Sequence, residues 1–476
     1  MNPSRPLRAL AALRDAEWLN PDRAQAWCRI LAVLSAVVAI GWLGLSHDGV
    51  DRMGKPVGTD FVSFWSASRL VLEGRPAAPY DLQMHSDAQL AALPTTDPRY
   101  YAFFYPPTFL LLCLPLALLP YLASLAAWLS LGFAVLLTCL RRLLPHRWAL
   151  LPVLAFPGVL VNAGHGQNGF VSASCLGGGM VLMQRRPFLA GLCLGVLVVK
   201  PHLALAVPVA LFAARRWAAV AGAAASALGL VALSWLVLGQ DAWLGFLRVA
   251  PLARLTLEQG WVEPSKMQSA FAAVRVLHGG LGIAYAAQAL AALAVCVLLA
   301  RLAGRRPGGR AEGALTVTAT LACTPFLLDY DLVCLALPIA WVADEAQRTR
   351  WLPWEKSVLL AAYVLPLVSR LVATLGLPLA PAVLLSLLLV VARRATLQCG
   401  VHQTQAASLG SGECPQDKKP SYVKRLYRRL TNPGVRRPPQ TQPSTVRLQV
   451  ANWAICALAT AGFAVLLHIT QTSLEP

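Results

Sequence analysis

The sequence predicts an all-α polytopic membrane protein, a bundle of about 11–13 transmembrane helices by the length each span needs. Three observations carry that expectation. Hydrophobic residues make up 57% of the 476, charged residues only 13%, and mean hydropathy is +0.57, whereas a soluble chain gives about 25% of its residues to charge. Apolar runs at 29–46, 218–238 and 281–299 come close to the roughly 20 residues with which a helix crosses hydrocarbon. The roughly ten-residue alternation of a membrane β-barrel is nowhere visible.

In chain order, a polar stretch carrying Arg5, Arg8, Arg14, Arg23 and Arg29 leads into the run at 29–46. No small-residue cleavage site follows convincingly, so this run is read as an uncleaved first helix. Further basic markers stand at Arg141 and Arg142 with Arg147, at Arg185 and Arg186, at Arg215 and Arg216, across 301–310, at Arg348 and Arg350, and from Arg393 onward. The positive-inside rule places all of them in the cytoplasm with the N-terminus. The long first loop 47–105, the turn 164–169, the break at Lys200, the second loop 239–270 and the pair Asp329 and Asp331 then fall on the extracytoplasmic side. That assignment makes 106–140 a net single crossing, broken near Pro115 and Pro120, and 189–214 a short hairpin with Lys200 near its tip. Residues 1–392 form the membrane module. Residues 393–449 are a basic, partly disordered cytoplasmic insertion suited to anionic lipid, and 450–476 are a last transmembrane helix and tail. The expected setting is the plasma membrane, crossed many times.

The formal charge of +19 does not signal nucleic acid. The basic residues lie between apolar segments or in one tail, not on a folded basic domain. The eleven cysteines sit mostly in apolar runs and form no CxxC pair, so they read as small core residues. Cys399, His402 and Cys414 share a polar loop without a ligand spacing, and no metal and no cofactor are predicted.

The stretch VGTDFVSFWSASRLVLEG, 57–74, is unlike a plain connector. It sets a lone acid, Asp60, beside Phe61, Phe64 and Trp65, with Arg69 and Glu73 further along. Phe61, Phe64, Trp65, Leu70 and Val71 recur at helical spacing, which predicts an interfacial helix in the headgroup plane. Asp60 has two compatible readings there. With Thr59 it caps the first turn of that helix, or it is a general base placed to take a hydroxyl proton. Tyr105, Pro106 and Pro107 end the loop as a structural stop.

Other polar groups offer partners for an anionic, sugar-bearing substrate. Lys200, in GVLVVKPHLAL, is an ammonium in an apolar run beside the helix-breaking Pro201. It contacts a phosphate together with His202, or it snorkels to the interface. His165, Gln167 and Asn168 in GHGQNG cap a polar turn or meet sugar hydroxyls or phosphate, and Arg69 is a further cation. Asp329 and Asp331 in TPFLLDYDLVCLALP have the D-x-D spelling of nucleotide-sugar sites. That chemistry needs a βα domain or a glycine-rich phosphate loop, and neither is present. Arg248, Arg254, Glu258 and Glu263 read as a solvated loop face.

Taken together, GTDFVSFWSASRLVLEG, YDL at 80–82, FFYPPTFLLLCLPLALLP, GHGQNGFVSASCLGGGMVLMQRRPFLAGLCLGVLVVKPHLALAVP and TPFLLDYDLVCLALP resemble, in order, glycosyltransferase family 87. The resemblance implies a C-type glycosyltransferase-like bundle acting on the extracytoplasmic side. It implies a polyprenyl-phosphate sugar as donor and a lipid or glycan as acceptor, as in the family's mannosyltransferases. It also implies that Asp60 is the catalytic base. One departure stands out: the late motif of the mannosyltransferase branch looks histidine-rich, and this chain has Asp329 and Asp331 there. The rival class, a transporter or flippase of a lipid-linked sugar, predicts an inverted repeat between halves, and no convincing repeat is visible. A scaffold protein would leave the conspicuous polar residues dispensable.

Overall fold

The computed structural model describes residues 5–93, 99–305 and 307–410, and within these every regular element is helical. A short helix α1 (Arg5–Asp15) precedes α2 (Pro21–Gly44). Helix α2 starts where Asn20 accepts from the Arg23 amide and a proline fills the first turn, the usual division of labour at a helix N-terminus. Its flank is left bare, with Val33, Val37 and Ile40 exposed, as a lipid-facing helix requires. Helices α3 (Phe61–Leu72) and α4 (Leu82–Ala92) follow, then α5 (Pro107–Cys113) and α6 (Tyr121–Leu143). The prolines at 107 and 120 set where the last two begin, and Pro115 separates α5 from the turn before α6.

Helices α7 (Leu150–Leu154) and α8 (Pro157–His165) form a pair, bent by 48° with its preceding turn. Next come α9 (Gly169–Leu182), α10 (Pro187–Gly195), α11 (Ala206–Ala213) and α12 (Trp217–Glu258). Helix α12 breaks at Gly239, whose φ of 77° suits a residue without Cβ. The chain closes with α13 (Ala270–Val276), α14 (Leu281–Ala303), α15 (Gly309–Cys323), α16 (Ala336–Arg348), α17 (Glu355–Thr374) and α18 (Ala380–Gly410). A 3-10 helix, Asp329–Leu335, leads into α16.

Six of these helices are long and apolar enough to cross a membrane, seven if the bent pair is one span, and five shorter apolar helices accompany them. The all-α polytopic fold is therefore as expected. The expected 11–13 full-length spans are not found among the described residues, because prolines and glycines divide several apolar runs into pieces too short to cross alone. Residues 450–469, expected as a last span, lie outside the described residues.

Three further expectations change. Helix α3 is no one-faced surface helix, since nearly all of it, from Phe61 to Ser68 and Leu70, is buried in protein. Its packing partners include α4 and α5. The second external loop is largely helix, because α12 resumes after Gly239 and continues to Glu258. The boundary expected at 393 falls inside α18, where Arg394 is buried.

Close packing explains two glycines of α10. A Cβ on Gly191 or Gly195 of α10 would come within 2.0 Å and 2.2 Å of the Ala219 and Ala223 carbonyls of α12. Without a large hydrophobic drive between helices in lipid, small residues that let backbones approach supply the packing. Helix α15 is the most enclosed of the α-helices. Almost every side chain along it is buried, and Thr316 and Thr318 bond back to carbonyls one turn earlier, which satisfies their hydroxyls without a neighbour.

Candidate active site

The site forms where four pieces meet: the loop before α3, the turn between α8 and α9, the break after α10, and the 3-10 helix Asp329–Leu335. The turn is welded to its neighbours at two glycines. Gly166 ends α8 in the left-handed conformation, φ 62°, and a Cβ there would lie 2.6 Å from Phe61 Cβ and 3.0 Å from the Gly58 carbonyl. A Cβ on Gly169 would lie 2.4 Å from Asn162 Oδ1 and 2.9 Å from the Tyr330 carbonyl. The GHGQNG pattern is thus a requirement for close approach on both sides.

Asp60 sits at the N-terminus of α3, yet its side chain makes no capping bond. Its backbone amide donates to the His165 carbonyl at 3.1 Å, and its Oδ2 accepts from Gln167 Nε2 at 2.9 Å. The His165 ring lies 3.9 Å from the same oxygen and bonds Thr59 Oγ1 at 3.2 Å. The carboxylate remains 29% exposed, so it is both anchored and reachable.

The Gln167 amide has one orientation available. Its Oε1 accepts from the Tyr105 hydroxyl at 3.2 Å and from the Asn168 amide at 3.1 Å, which leaves the NH2 for Asp60. Burial pushes the Tyr105 phenol above its ordinary value, so it stays a donor. Tyr105, read from sequence as a stop, is therefore part of the site's support.

Lys200 joins the same network from behind. Its Nζ donates to Asp331 Oδ1 at 2.6 Å and to Asn168 Oδ1 at 3.0 Å, and lies 5.0 Å from the Tyr330 ring centroid. Both members of the ion pair are closed off, at 2% and 0% exposure. At 2% exposure Lys200 is enclosed by this network and does not face the accessible side of Asp60 as an open cation. It orients Asn168, which in turn fixes Gln167 through the backbone. Asp329 is buried, with Oδ1 accepting from the Tyr330 amide, and it lies within electrostatic reach of His165.

Two expected contacts stand apart. His202 packs against Phe326 at 6.2 Å between rings, and its buried Nε2 has no hydrogen-bond partner. Arg69 is nine residues along α3 from Asp60, about 13 Å at helical rise, where it pairs with Glu73. The sequence reading passed over two further cations. Lys266 and Arg370 both lie within electrostatic reach of His165. Arg370, on α17, is buried, and its Nη2 donates to Glu263 Oε2 at 3.1 Å. The signal for it was present: an arginine inside an apolar span marks function by default.

Among the described residues no group of three or more His, Cys, Asp or Glu is arranged to hold a metal ion. The side chains of Cys399, His402 and Cys414 lie outside the described residues. The arrangement offers an anchored, accessible carboxylate with buried cations near by, which suits removal of a hydroxyl proton beside an anionic group.

Residues 103–328 match the model of glycosyltransferase family 87. They include the GHGQNG turn and Lys200, and stop short of Asp60, Asp329 and Asp331. No curated protein and no solved structure matches the chain.

Proposed function

We propose that this chain is a member of glycosyltransferase family 87, whose model matches residues 103–328, and that it transfers a hexose, with mannose the first choice, from a polyprenyl-phosphate sugar. The acceptor is a hydroxyl on a lipid or glycan at the extracytoplasmic face of the plasma membrane. Asp60 takes the acceptor's proton, and the freed oxygen attacks the anomeric carbon from the side opposite the phosphate. The bond from that carbon to the phosphate oxygen breaks, and the polyprenyl phosphate leaves with the electron pair, so the anomeric configuration inverts. Cations near the departing oxygen lower the barrier by stabilising charge as it develops.

The observation that supports this reading best is the geometry at Asp60. A carboxylate at 29% exposure, held at 2.9 Å by an amide that cannot flip, can receive a proton without reorganising. The distribution of arginines supports the orientation. Arg216, Arg348 and Arg394 pair with Glu312, Asp344 and Glu355 at the end of the bundle away from Asp60, where the positive-inside rule puts the cytoplasm.

The test is transfer of radiolabelled mannose from polyprenyl-phosphomannose to a membrane lipid extract, by purified wild type and Asp60→Asn. Product from wild type with a roughly thousandfold slower mutant is the expected result, within the usual worth of a general base. Equal rates would remove Asp60 as base and move the role to Asp329. No product with any polyprenyl-phosphate hexose would put a carrier of lipid-linked sugars ahead of this reading.

A further inference from the structure

The Arg370–Glu263 ion pair is lopsided in a way the other buried pairs are not. The arginine side chain is 5% exposed and Glu263 is 35% exposed. A buried guanidinium needs a counter-charge, because the cost of an uncompensated cation in a low-dielectric interior is several kcal/mol. A carboxylate that already faces solvent loses little hydration when it is released. The acid is therefore the exchangeable member of this pair.

Glu263 also sits at the start of a short turn between a glycine and an anchored segment. Gly260 turns the chain with φ 73°, Pro264 opens a single 3-10 turn, Pro264–Lys266, and Ser265 Oγ donates to the same Glu263 Oε2 at 3.3 Å. Beyond the turn the chain is fixed to the site: Met267 bridges Leu328, and the Gln268 amide donates to the Leu327 carbonyl at 2.7 Å. Lys266 is thereby held next to the Asp329 strand of chain, and α17 packs against both this turn and α8. Arg370 and Lys266, like Asp60 and Asp329, lie within electrostatic reach of His165.

We propose that Glu263 is an internal stand-in for substrate: it occupies an anion site formed by Arg370 and Lys266, and a phosphate group bound there displaces it. The inference rests on the glycosyltransferase reading for the identity of that phosphate, the one carried by the polyprenyl donor and product. It does not rest on that reading for the exchange itself. Phosphate and carboxylate present similar oxygen geometry to a guanidinium, and Arg binds either through paired N–H groups. As long as Glu263 competes, the apparent affinity for phosphate is reduced by the fraction of protein in which the site is already filled.

The experiment measures equilibrium binding of radiolabelled polyprenyl phosphate to the full chain in nanodiscs, with inorganic phosphate as competitor. Wild type, Glu263→Gln, Arg370→Gln, Arg370→Lys and Lys266→Gln are compared, and thermal unfolding is recorded for each. Glu263→Gln is expected to tighten binding by about tenfold, because it removes the competing charge and keeps the side-chain shape. Arg370→Gln is expected to weaken it by more than tenfold, Arg370→Lys to restore part of the loss, and Lys266→Gln to weaken it by about threefold. In transfer assays Glu263→Gln lowers KM for the donor with little change in kcat, a split that a merely structural role for the pair would not produce.

Displacement by inorganic phosphate would show that the phosphate alone is read. Failure to displace, with tightening by Glu263→Gln intact, would show that the lipid tail contributes as well. Unchanged or weaker binding in Glu263→Gln overturns the stand-in, and the glycosyltransferase reading survives if Asp60-dependent transfer persists. Absence of binding in both wild type and Glu263→Gln overturns the stand-in and the polyprenyl donor together.

Discussion

The two ends of α17 handle buried charge in opposite ways. At its first residue, Glu355 is fully buried and clamped by Arg394 through two bonds of 2.7 Å and 2.6 Å, with Arg393 at 3.3 Å. Glu312 with Arg216, and Asp344 with Arg348, repeat the pattern near by. About 22 Å further on, at helical rise, Arg370 pairs with an acid that is 35% exposed, and Asp60 is held by a neutral amide. Where every acid is closed by an arginine, charge serves architecture. Where a charge is left with a neutral or releasable partner, it remains available for chemistry. The site end also contains one closed pair, Lys200 with Asp331, so proximity to the site does not by itself mark a group as reactive.

The widest separation between the ends comes from exchanging one acid at each. Asp60→Asn should lower transfer by about a thousandfold and leave thermal stability within about 1 kcal/mol, since an amide oxygen still accepts from Gln167. Glu355→Ala should do the reverse. It strands the Arg394 guanidinium in the interior, at a cost of roughly 3–5 kcal/mol, while protein that remains folded transfers at a near-normal rate. Unfolding midpoints and initial rates on the same preparations decide the matter. If Glu355→Ala is stable but inactive, the division between the two ends is wrong.

The Lys200–Asp331 pair tests whether a closed pair at the site end behaves like architecture. Lys200→Met leaves Asp331 buried without its cation and should destabilise by roughly 3–5 kcal/mol. The double variant Lys200→Met/Asp331→Leu should recover most of that, because it replaces the pair with apolar volume. Recovery of stability without recovery of transfer would assign the pair to positioning Asn168 and Gln167.

How much of this was legible in the sequence depended on range. Asp60, the aromatic face of α3 and the GHGQNG turn are local patterns, each visible in a short stretch of sequence. The burial of α3 was not legible, because the aromatic stripe that would suit a headgroup plane suits a protein interior equally well. Phe64, for instance, packs edge-on to Phe109 at 5.0 Å. The partnership of Lys200 with Asp331 spans 131 residues, and no periodicity encodes it. Arg370 carried the same signal as Lys200, a charge in an apolar run, but its neighbours VLPLVS and LVATL gave no polar company to draw attention to it.

A smaller effect comes from His85, which joins α4 to α3. Its Nε2 donates to the Ser63 carbonyl at 3.0 Å, and its Nδ1 accepts from the Tyr100 hydroxyl at 3.1 Å. Burial pulls the imidazole down to about 4 from an ordinary 6.5. The neutral form is thus the one folded, and the unfolded chain takes up a proton first on acidification. Stability is full above pH about 6.5 and falls as the pH drops toward 4, by at most about 3 kcal/mol. Hydrogen exchange of α3 and α4 should quicken over that window in wild type and lose the pH dependence in His85→Phe. A flat profile in wild type would mean that the ring is reached by water.

Arg69 gives the smallest effect and the finest resolution of the contrast. It shares α3 with Asp60, and its guanidinium lies 5.8 Å from the Trp65 ring centroid and 3.0 Å from Glu73 Oε1. Both partners of the ion pair are about half exposed. Hydrogen bonds from Arg75 and then Arg69 hold the Glu73 carboxyl below its ordinary range, so the pair survives mild acid. Exposed pairs of this kind contribute under about 1 kcal/mol and fade with salt. Arg69→Ala should therefore cost a few tenths of a kcal/mol at low ionic strength, mostly through the lost stem over Trp65, and should keep transfer within about twofold. At 1 M salt the stability difference from the ion pair should shrink toward nothing. A loss of transfer beyond tenfold would bring the far end of α3 into the donor's path, and an exposed, salt-bridged arginine would then have to be counted with Arg370 among the charges kept for chemistry.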